Sequence, residues 1–273
     1  MNKYNLLICF ILILWNHSLY GQDQKKHHVK ISTSMGDIIV ELYNDTPKHR
    51  DKFLKETKKS YYDESMFYRV INNFMIQAGA KGYQGASHST RIGYGNPDFT
   101  VDDEIRKNHF AKKGALCAPR QPNSENPFKQ SDISQFFIIQ GRKYREGELD
   151  TLELARNIPI KKTIKKRYWN EKSKQEAKAL KQGGKIKEYN ALIRKIKEQI
   201  NTEYKLDYRR LDFSDEQRKE YTTIGGYPPI DGEYTIFGEV IKGWSVIDRI
   251  SRVKCDKFDR PWKDINLKLI VID

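Results

Sequence analysis

The chain has 273 residues, room for one large domain or two small ones, and its 38% hydrophobic content with 12% aromatic residues is enough for a core. The formal charge is +14, but residues 142–224 hold 23 Lys+Arg against 14 Asp+Glu, a net of +9, so the excess belongs mainly to one segment. Three cysteines are too few for a disulfide framework, and the six histidines show no metal-ligand spacing, so no metal is expected.

The N-terminus, "MNKYNLLICFILILWNHSLYGQDQ", carries Lys3 and an apolar run from Leu6 to Trp15. That run is too short for a spanning helix of ~20 residues and fits the central region of a secretory signal. Residues 1–21 are predicted to be a signal peptide cleaved near Gly21, although Leu-Tyr-Gly departs from a small-x-small site and an uncleaved anchor stays open. The reading implies an exported chain, placed in the periplasm or cell envelope if the cell is Gram-negative. Residues 22–28, with His27 and His28, read as a tail. Cys117 and Cys255 then remain; export permits a disulfide, and whether they pair stays open.

From Val29 the pattern alternates. In "GDIIVELY", Ile38, Val40 and Leu42 share one face, which predicts two strands with a turn at Met35 and Gly36. "DTPKHRDKFLKETKKSYY" predicts a helix with Thr46 as N-cap, Pro47 at its first position, and Phe53 and Leu54 inward. "MFYRVINNFMIQAGA" follows as short strands, with one arginine, Arg69, inside an apolar run. "KGYQGASHSTRIGYGNPDF" is a long surface loop, "GALCA" and "SQFFIIQG" are strands, and "PRQPNSENPFKQSDI", with three prolines, is a second loop. Near the end, "YTIFGEVI" is a strand, "GWSVIDRI" a short helix and "DINLKLIVI" a strand.

The middle changes period. Ile186, Tyr189, Ile193, Ile196 and Ile200 recur at helical spacing, with Gly183 and Gly184 separating them from an earlier helical piece, "YWNEKSKQEAKALK". Such a seam must pack on that piece, on the rest of the protein, or on a partner. No phosphate-cradling glycine motif and no G-x-S-x-G occurs, so nucleotide-enzyme and hydrolase readings lack support.

With "FYRVINNFMIQAG", "SQFFIIQG" and "DGEYTIFGEVIKGWSVIDRI" in this order, the chain resembles the cyclophilin family of peptidyl-prolyl cis-trans isomerases. The form with a helical insertion looks like exported Bacteroidetes-type members. The resemblance implies a mostly β fold with α: an eight-stranded antiparallel barrel capped by two helices, formed discontinuously by residues 29–141 and 225–273, with 142–224 as a basic helical insertion. It implies an isomerase, needing no cofactor, that acts on proline-containing unfolded or exported polypeptides. The family's catalytic arginine falls on Arg69, and its substrate-carbonyl contact on Gln77. The proline pocket falls on Phe74, Met75 and Phe137, and Gln135 lines the same groove. The backbone that pairs with substrate falls on Pro119 and Arg120, and the rim on Ile230 and Tyr234. Tyr68 replaces the usual histidine, Ala78 and Gly79 the glycine pair, Ile133 a glycine and Pro229 the rim tryptophan.

Two alternatives stand beside catalysis. One is a non-catalytic module that binds proline-containing segments, with the insertion as a docking arm. The other gives the insertion an anionic surface to bind, "KKTIKKR" being its densest run. No nucleic acid is expected for an exported chain.

Overall fold

The computed structural model describes residues 25–272. The predicted signal peptide 1–21 lies outside them. In chain order the elements are β1 (His27–Thr33), β2 (Gly36–Leu42), α1 (Pro47–Lys58), β3 (Ser65–Ile71), β4 (Met75–Ala78), β5 (Thr100–Val101), β6 (Ala115–Cys117), β7 (Ser131–Asp132) and β8 (Phe136–Ile139). Four helices follow: α2 (Glu146–Tyr168), α3 (Glu171–Gln182), α4 (Ile186–Leu206) and α5 (Asp215–Thr223). β9 (Ile236–Lys242), α6 (Trp244–Ile250) and β10 (Ile265–Ile272) complete the chain.

Eight strands close a barrel in the order β1-β10-β3-β4-β8-β6-β9-β2, every pairing antiparallel. Alternation explains why it closes: Val29, Ile31, Ile38, Val40, Ile76, Ile138 and Phe237 all point into one interior cluster and are fully buried. α1 contributes Phe53 and Leu54 to that cluster, and α6 contributes Val246, Ile247 and Ile250, so the two helices cap the barrel. The start of α1 is capped from outside. Thr46 makes no side-chain cap bond, while the Glu104 carboxylate accepts the N–H groups of Lys48 (3.1 Å) and His49 (3.0 Å).

Three local expectations change. His27 and His28 are not a tail: both lie in β1, opposite Leu42 and Glu41, and His28 Nε2 lies 3.2 Å from Glu41 Oε2. The first turn sits at Ser34 and Met35, because Gly36, at φ 118°, already pairs with Thr33. The proline-rich loop contains β7, which pairs with β5 as a separate two-stranded sheet.

The insertion divides into a base and an arm. At the base, Leu149, Leu211, Phe213 and Tyr221 bury Phe110 and Tyr144 against the barrel. In the arm, Ile196 and Ile200 of α4 pack on Ile160 and Ile164 of α2, so the seam finds α2 as its main partner. The expected piece "YWNEKSKQEAKALK" spans a break: α2 ends at Tyr168, and Asn170 caps α3 by accepting the Ser173 N–H (3.1 Å). Pro159 lies within α2 where it leaves the base and cannot donate a helical hydrogen bond there. No helix among the described residues is long and apolar enough to cross a membrane. Cys117 is buried and Cys255 half-buried, and both are free thiols.

Candidate active site

The side chains that face away from the barrel interior line up across five strands. Arg69 of β3 pairs in register with Gln77 of β4, Gln77 with Phe137 of β8, Phe137 with Cys117 of β6, and Cys117 with Ile236 of β9. One row thus runs from a cation through an amide to apolar groups.

Arg69 owes its place to a bulge. The register steps from Phe67↔Ala78 to Arg69↔Gln77, so Tyr68 is the extra residue. Phe67 and Val70 both point into the interior cluster, three positions apart, whereas strict alternation after Phe67 would have sent Arg69 inward. An unpaired cation there would cost several kcal/mol, on the order of the penalty for any desolvated ion. The bulge sends Tyr68 and Arg69 to the outer face.

The Arg69 side chain is 41% exposed, and its guanidinium is held from two sides. Its Nη1 approaches Gln77 Oε1 at 3.5 Å, and its Nε lies 3.5 Å from Asp259 Oδ2. Asp259 sits in the left-handed region at φ 64°, and its carbonyl accepts the Val70 N–H at 2.8 Å. Gln77 is steadied in turn: its amide donates to Gln135 Oε1 at 3.4 Å, and the Tyr68 hydroxyl donates to the same oxygen. Gln135 donates to Asp132 Oδ2 at 3.4 Å. Tyr68, in the place of a histidine, therefore anchors the amide pair.

Next to this polar end, Met75, Phe137, Cys117, Ile139 and Ile236 form a buried apolar floor, with Phe74, Tyr227, Ile230 and Tyr234 half-buried around it. Tyr234 meets Phe137 edge-on at 5.6 Å, and Phe74 lies on Tyr227 at 4.0 Å. Burial pushes the Cys117 thiol well above its ordinary range, so it behaves as an apolar floor atom. Every expected pocket residue is thus in or beside one cluster. Arg120 is placed differently: its guanidinium turns to Glu233, donating from Nε to the carbonyl (2.6 Å) and pairing Nη2 with Oε2 (3.1 Å), and it covers the Tyr234 ring at 5.0 Å. The Pro119 carbonyl already accepts the Asp132 N–H at 2.8 Å, and proline has no N–H, so the pairing edge narrows to Arg120.

The rim is held by the insertion. Arg156 of α2 donates to the carbonyls of Asp231 (2.7 Å) and Pro229 (3.2 Å). The buried Asp231 carboxylate accepts the Ala111 N–H (2.8 Å) and the Tyr221 hydroxyl (2.6 Å). Burial raises its pKa to about 7, partly offset by those two bonds and by Arg156. Asp259, Tyr227, Arg156 and Tyr221 were not legible as site residues, since nothing in their spacing ties them to "FYRVINNFMIQ". The short "FDRPW" stretch was the single local hint of a turn at Asp259. No group of three or more His, Cys, Asp or Glu among the described residues is placed to hold a metal.

A closed antiparallel barrel whose outer face sets an arginine and an amide beside a buried apolar floor is the arrangement that the sequence motifs, by their resemblance to peptidyl-prolyl isomerases, imply. The family model described as cyclophilin type peptidyl-prolyl cis-trans isomerase/CLD matches residues 28–155 and 170–271, and the chain belongs to that family. A Staphylococcus saprophyticus protein named for peptidyl-prolyl cis-trans isomerase activity is 27% identical over 244 residues, covering 88% of each chain. A Staphylococcus haemolyticus protein of the same name is 24% identical over 265 residues, covering 94% of this chain and 98% of its own length. Among solved structures, a cyclophilin type peptidyl-prolyl cis-trans isomerase of Cryptosporidium parvum matches 91% of this chain and 99% of its own at 19% identity and a TM-score of 0.51, a likeness of fold. The chain is accordingly an isomerase of the cyclophilin type.

Proposed function

We propose that the protein is exported, to the periplasm or cell envelope if the cell is Gram-negative, and turns X-Pro bonds of exported polypeptides there, with Arg69 as the donor to the prolyl nitrogen. The amide turns slowly because resonance gives the C–N bond double-bond character, with a barrier of ~18–20 kcal/mol. In the twisted state the nitrogen becomes pyramidal and regains a lone pair, which a guanidinium N–H can bond. The planar nitrogen offers almost nothing, so the interaction raises turnover instead of tightening binding. A charged hydrogen bond contributes ~1.5–3 kcal/mol, one to two powers of ten at ~1.4 kcal/mol each. Met75, Phe74 and Phe137 hold the proline ring, Gln77 meets the substrate carbonyl, and the Arg120 backbone pairs with the peptide.

The observation that carries this reading is the register row Arg69–Gln77–Phe137, which sets donor, amide and pocket on consecutive strands ~4.8 Å apart. Arg69→Ala should lower turnover of a proline tetrapeptide on the order of a hundredfold with the fold intact, in line with one lost charged bond at a catalytic centre. Arg69→Lys should fail likewise, since an ammonium lacks the planar fork that Gln77 and Asp259 now orient. Near-native turnover by a folded Arg69→Ala protein would sink the mechanism.

A second role for the arm is favoured by its solvent-facing lysines, Lys161, Lys162, Lys165 and Lys166. Attraction to an anionic surface such as acidic lipid would fall steeply with salt, whereas catalysis on a short peptide would not.

A further inference from the structure

Between the barrel and the insertion lies a cleft of about 770 Å³, within the range of ligand-binding clefts and distinct from the apolar floor. One wall is the rim segment with Asp231 and Glu233, so the cleft and the groove share it. The rim runs on from Ile230 to Tyr234, and Arg120 links the two sides by binding Glu233 while covering Tyr234. An extended chain seated on the floor can therefore continue into the cleft without leaving the surface.

The cleft has a charge preference. Glu233 is already paired with Arg120 (3.1 Å), Lys129 (3.1 Å) and Arg156 (3.7 Å). Asp207 is paired with Arg209, Asp212 with Arg210, and Asp231 is buried under Tyr221 and Ala111. That leaves Asp103 against Arg106, Lys107 and Lys205, all exposed on the cleft walls. Among the described residues the Arg106 guanidinium bonds the Asp45 carbonyl and forms no ion pair, and Lys107 and Lys205 have no ion pair either. The lining also carries two aromatic rings with little cover: Phe128 from the barrel loop is 77% exposed, and Tyr208 from the insertion 82%.

We propose that this cleft is an extension of the proline groove that selects client segments carrying acidic residues and an apolar or aromatic side chain near the proline. The proposal rests on the groove reading above. It assigns Lys107 and Lys205 to attraction of client carboxylates, and Phe128 and Tyr208 to a clamp on an apolar side chain.

The test compares proline tetrapeptides with decapeptides that extend the same core on either side with Glu-Phe-Glu or with Lys-Phe-Lys. The acidic extensions should raise kcat/KM about tenfold through KM, the size expected of two or three partly exposed charge pairs. Lys107→Glu with Lys205→Glu should abolish that gain while leaving tetrapeptide turnover unchanged. Phe128→Ala with Tyr208→Ala should reduce it and also weaken binding of an acidic decapeptide measured by fluorescence anisotropy. Equal kcat/KM for acidic and basic decapeptides, or a gain that survives the charge reversal, would overturn the proposal. If tetrapeptides are not turned over at all, the groove reading fails by itself. Anisotropy then decides the cleft: acid-selective binding lost on charge reversal upholds it, and indifferent binding refutes it.

Discussion

In the barrel, Phe53, Phe67, Phe136 and Phe237 have no exposed surface, enclosed by strands on all sides and by α1 and α6 at the ends. The arm is held along one seam: Ile160, Ile164, Ile196 and Ile200 are buried, but Ile158, at the start of the same helical run, is 58% exposed and Ile186 is 52% exposed. A closed barrel buries each strand against two neighbours, whereas a short helical hairpin has a single apolar stripe to share. The row from Arg69 to Ile236 therefore sits on the stiffest part of the molecule, and the segment that carries most of the excess positive charge sits on the part best able to open locally. Between them, the base borrows from both. Leu149 and Tyr221 are fully buried against Phe110, and Tyr221 reaches the rim through Asp231.

The contrast can be broken at four points. The largest effect is expected from Phe136→Ala, which opens a cavity among Phe53, Tyr62 and Phe67 and should cost about 3–5 kcal/mol. Against a total of about 5–15 kcal/mol, denaturant melting should show a large loss of stability of the whole barrel, with the peptide activity lost in parallel. Next, Ile164→Ala should cost about 2–4 kcal/mol within the arm, where Ile164 packs on α4. Hydrogen exchange should then speed up in α3 and α4 while β4 and β8 stay protected and tetrapeptide turnover holds. Uniform acceleration in all elements would show that arm and barrel unfold as one unit.

Deletion sharpens the boundary between arm and base. Lys161 lies over the Tyr204 ring at 5.2 Å, so a short Gly/Ser linker can replace residues 162–203. That protein should fold and keep tetrapeptide turnover within about a factor of two, as expected for a change remote from the bonds made in the transition state. Replacing residues 148–215 instead removes Leu149, Leu211 and Phe213 and uncovers Phe110 and Tyr221. It should yield a poorly soluble or inactive protein. The smallest effect at neutral pH is at Asp231, whose pKa rises from 3.8 to about 7 on folding because the carboxylate is buried. The native state then holds an extra proton between those values, so its contribution is full below pH 3.8 and is lost as the pH rises through about 7. Asp231→Asn should flatten that part of the urea-stability profile, and an unchanged slope would place the titration elsewhere.

Much of this was legible along the chain. "GDIIVELY" shows its inward face by alternation alone, the Thr46-Pro47 start of α1 stands at the expected place, and Ile196 and Ile200 announce a helical seam before any partner is known. Those signals are local, because side-chain period and backbone preference act within a few residues. The cap of α1 was misread for the opposite reason. Thr46 has the right chemistry, but Glu104, more than fifty residues later, supplies the carboxylate.

The site divides along the same line. The family motifs were enough to group Arg69, Phe74, Met75, Gln77 and Phe137, and a two-residue period agrees for Met75 and Gln77 of β4 and for Phe137, which pairs with Gln77. Tertiary structure alone decided that a bulge at Tyr68 turns Arg69 outward, that Asp259 stands at its Nε, and that Arg120 faces Glu233 instead of open solvent. It also decided that a segment 142–224 grips the groove rim through Arg156 and Tyr221. Charge pairing and burial depend on distances between residues far apart in the chain, and those distances exist only once the barrel has closed.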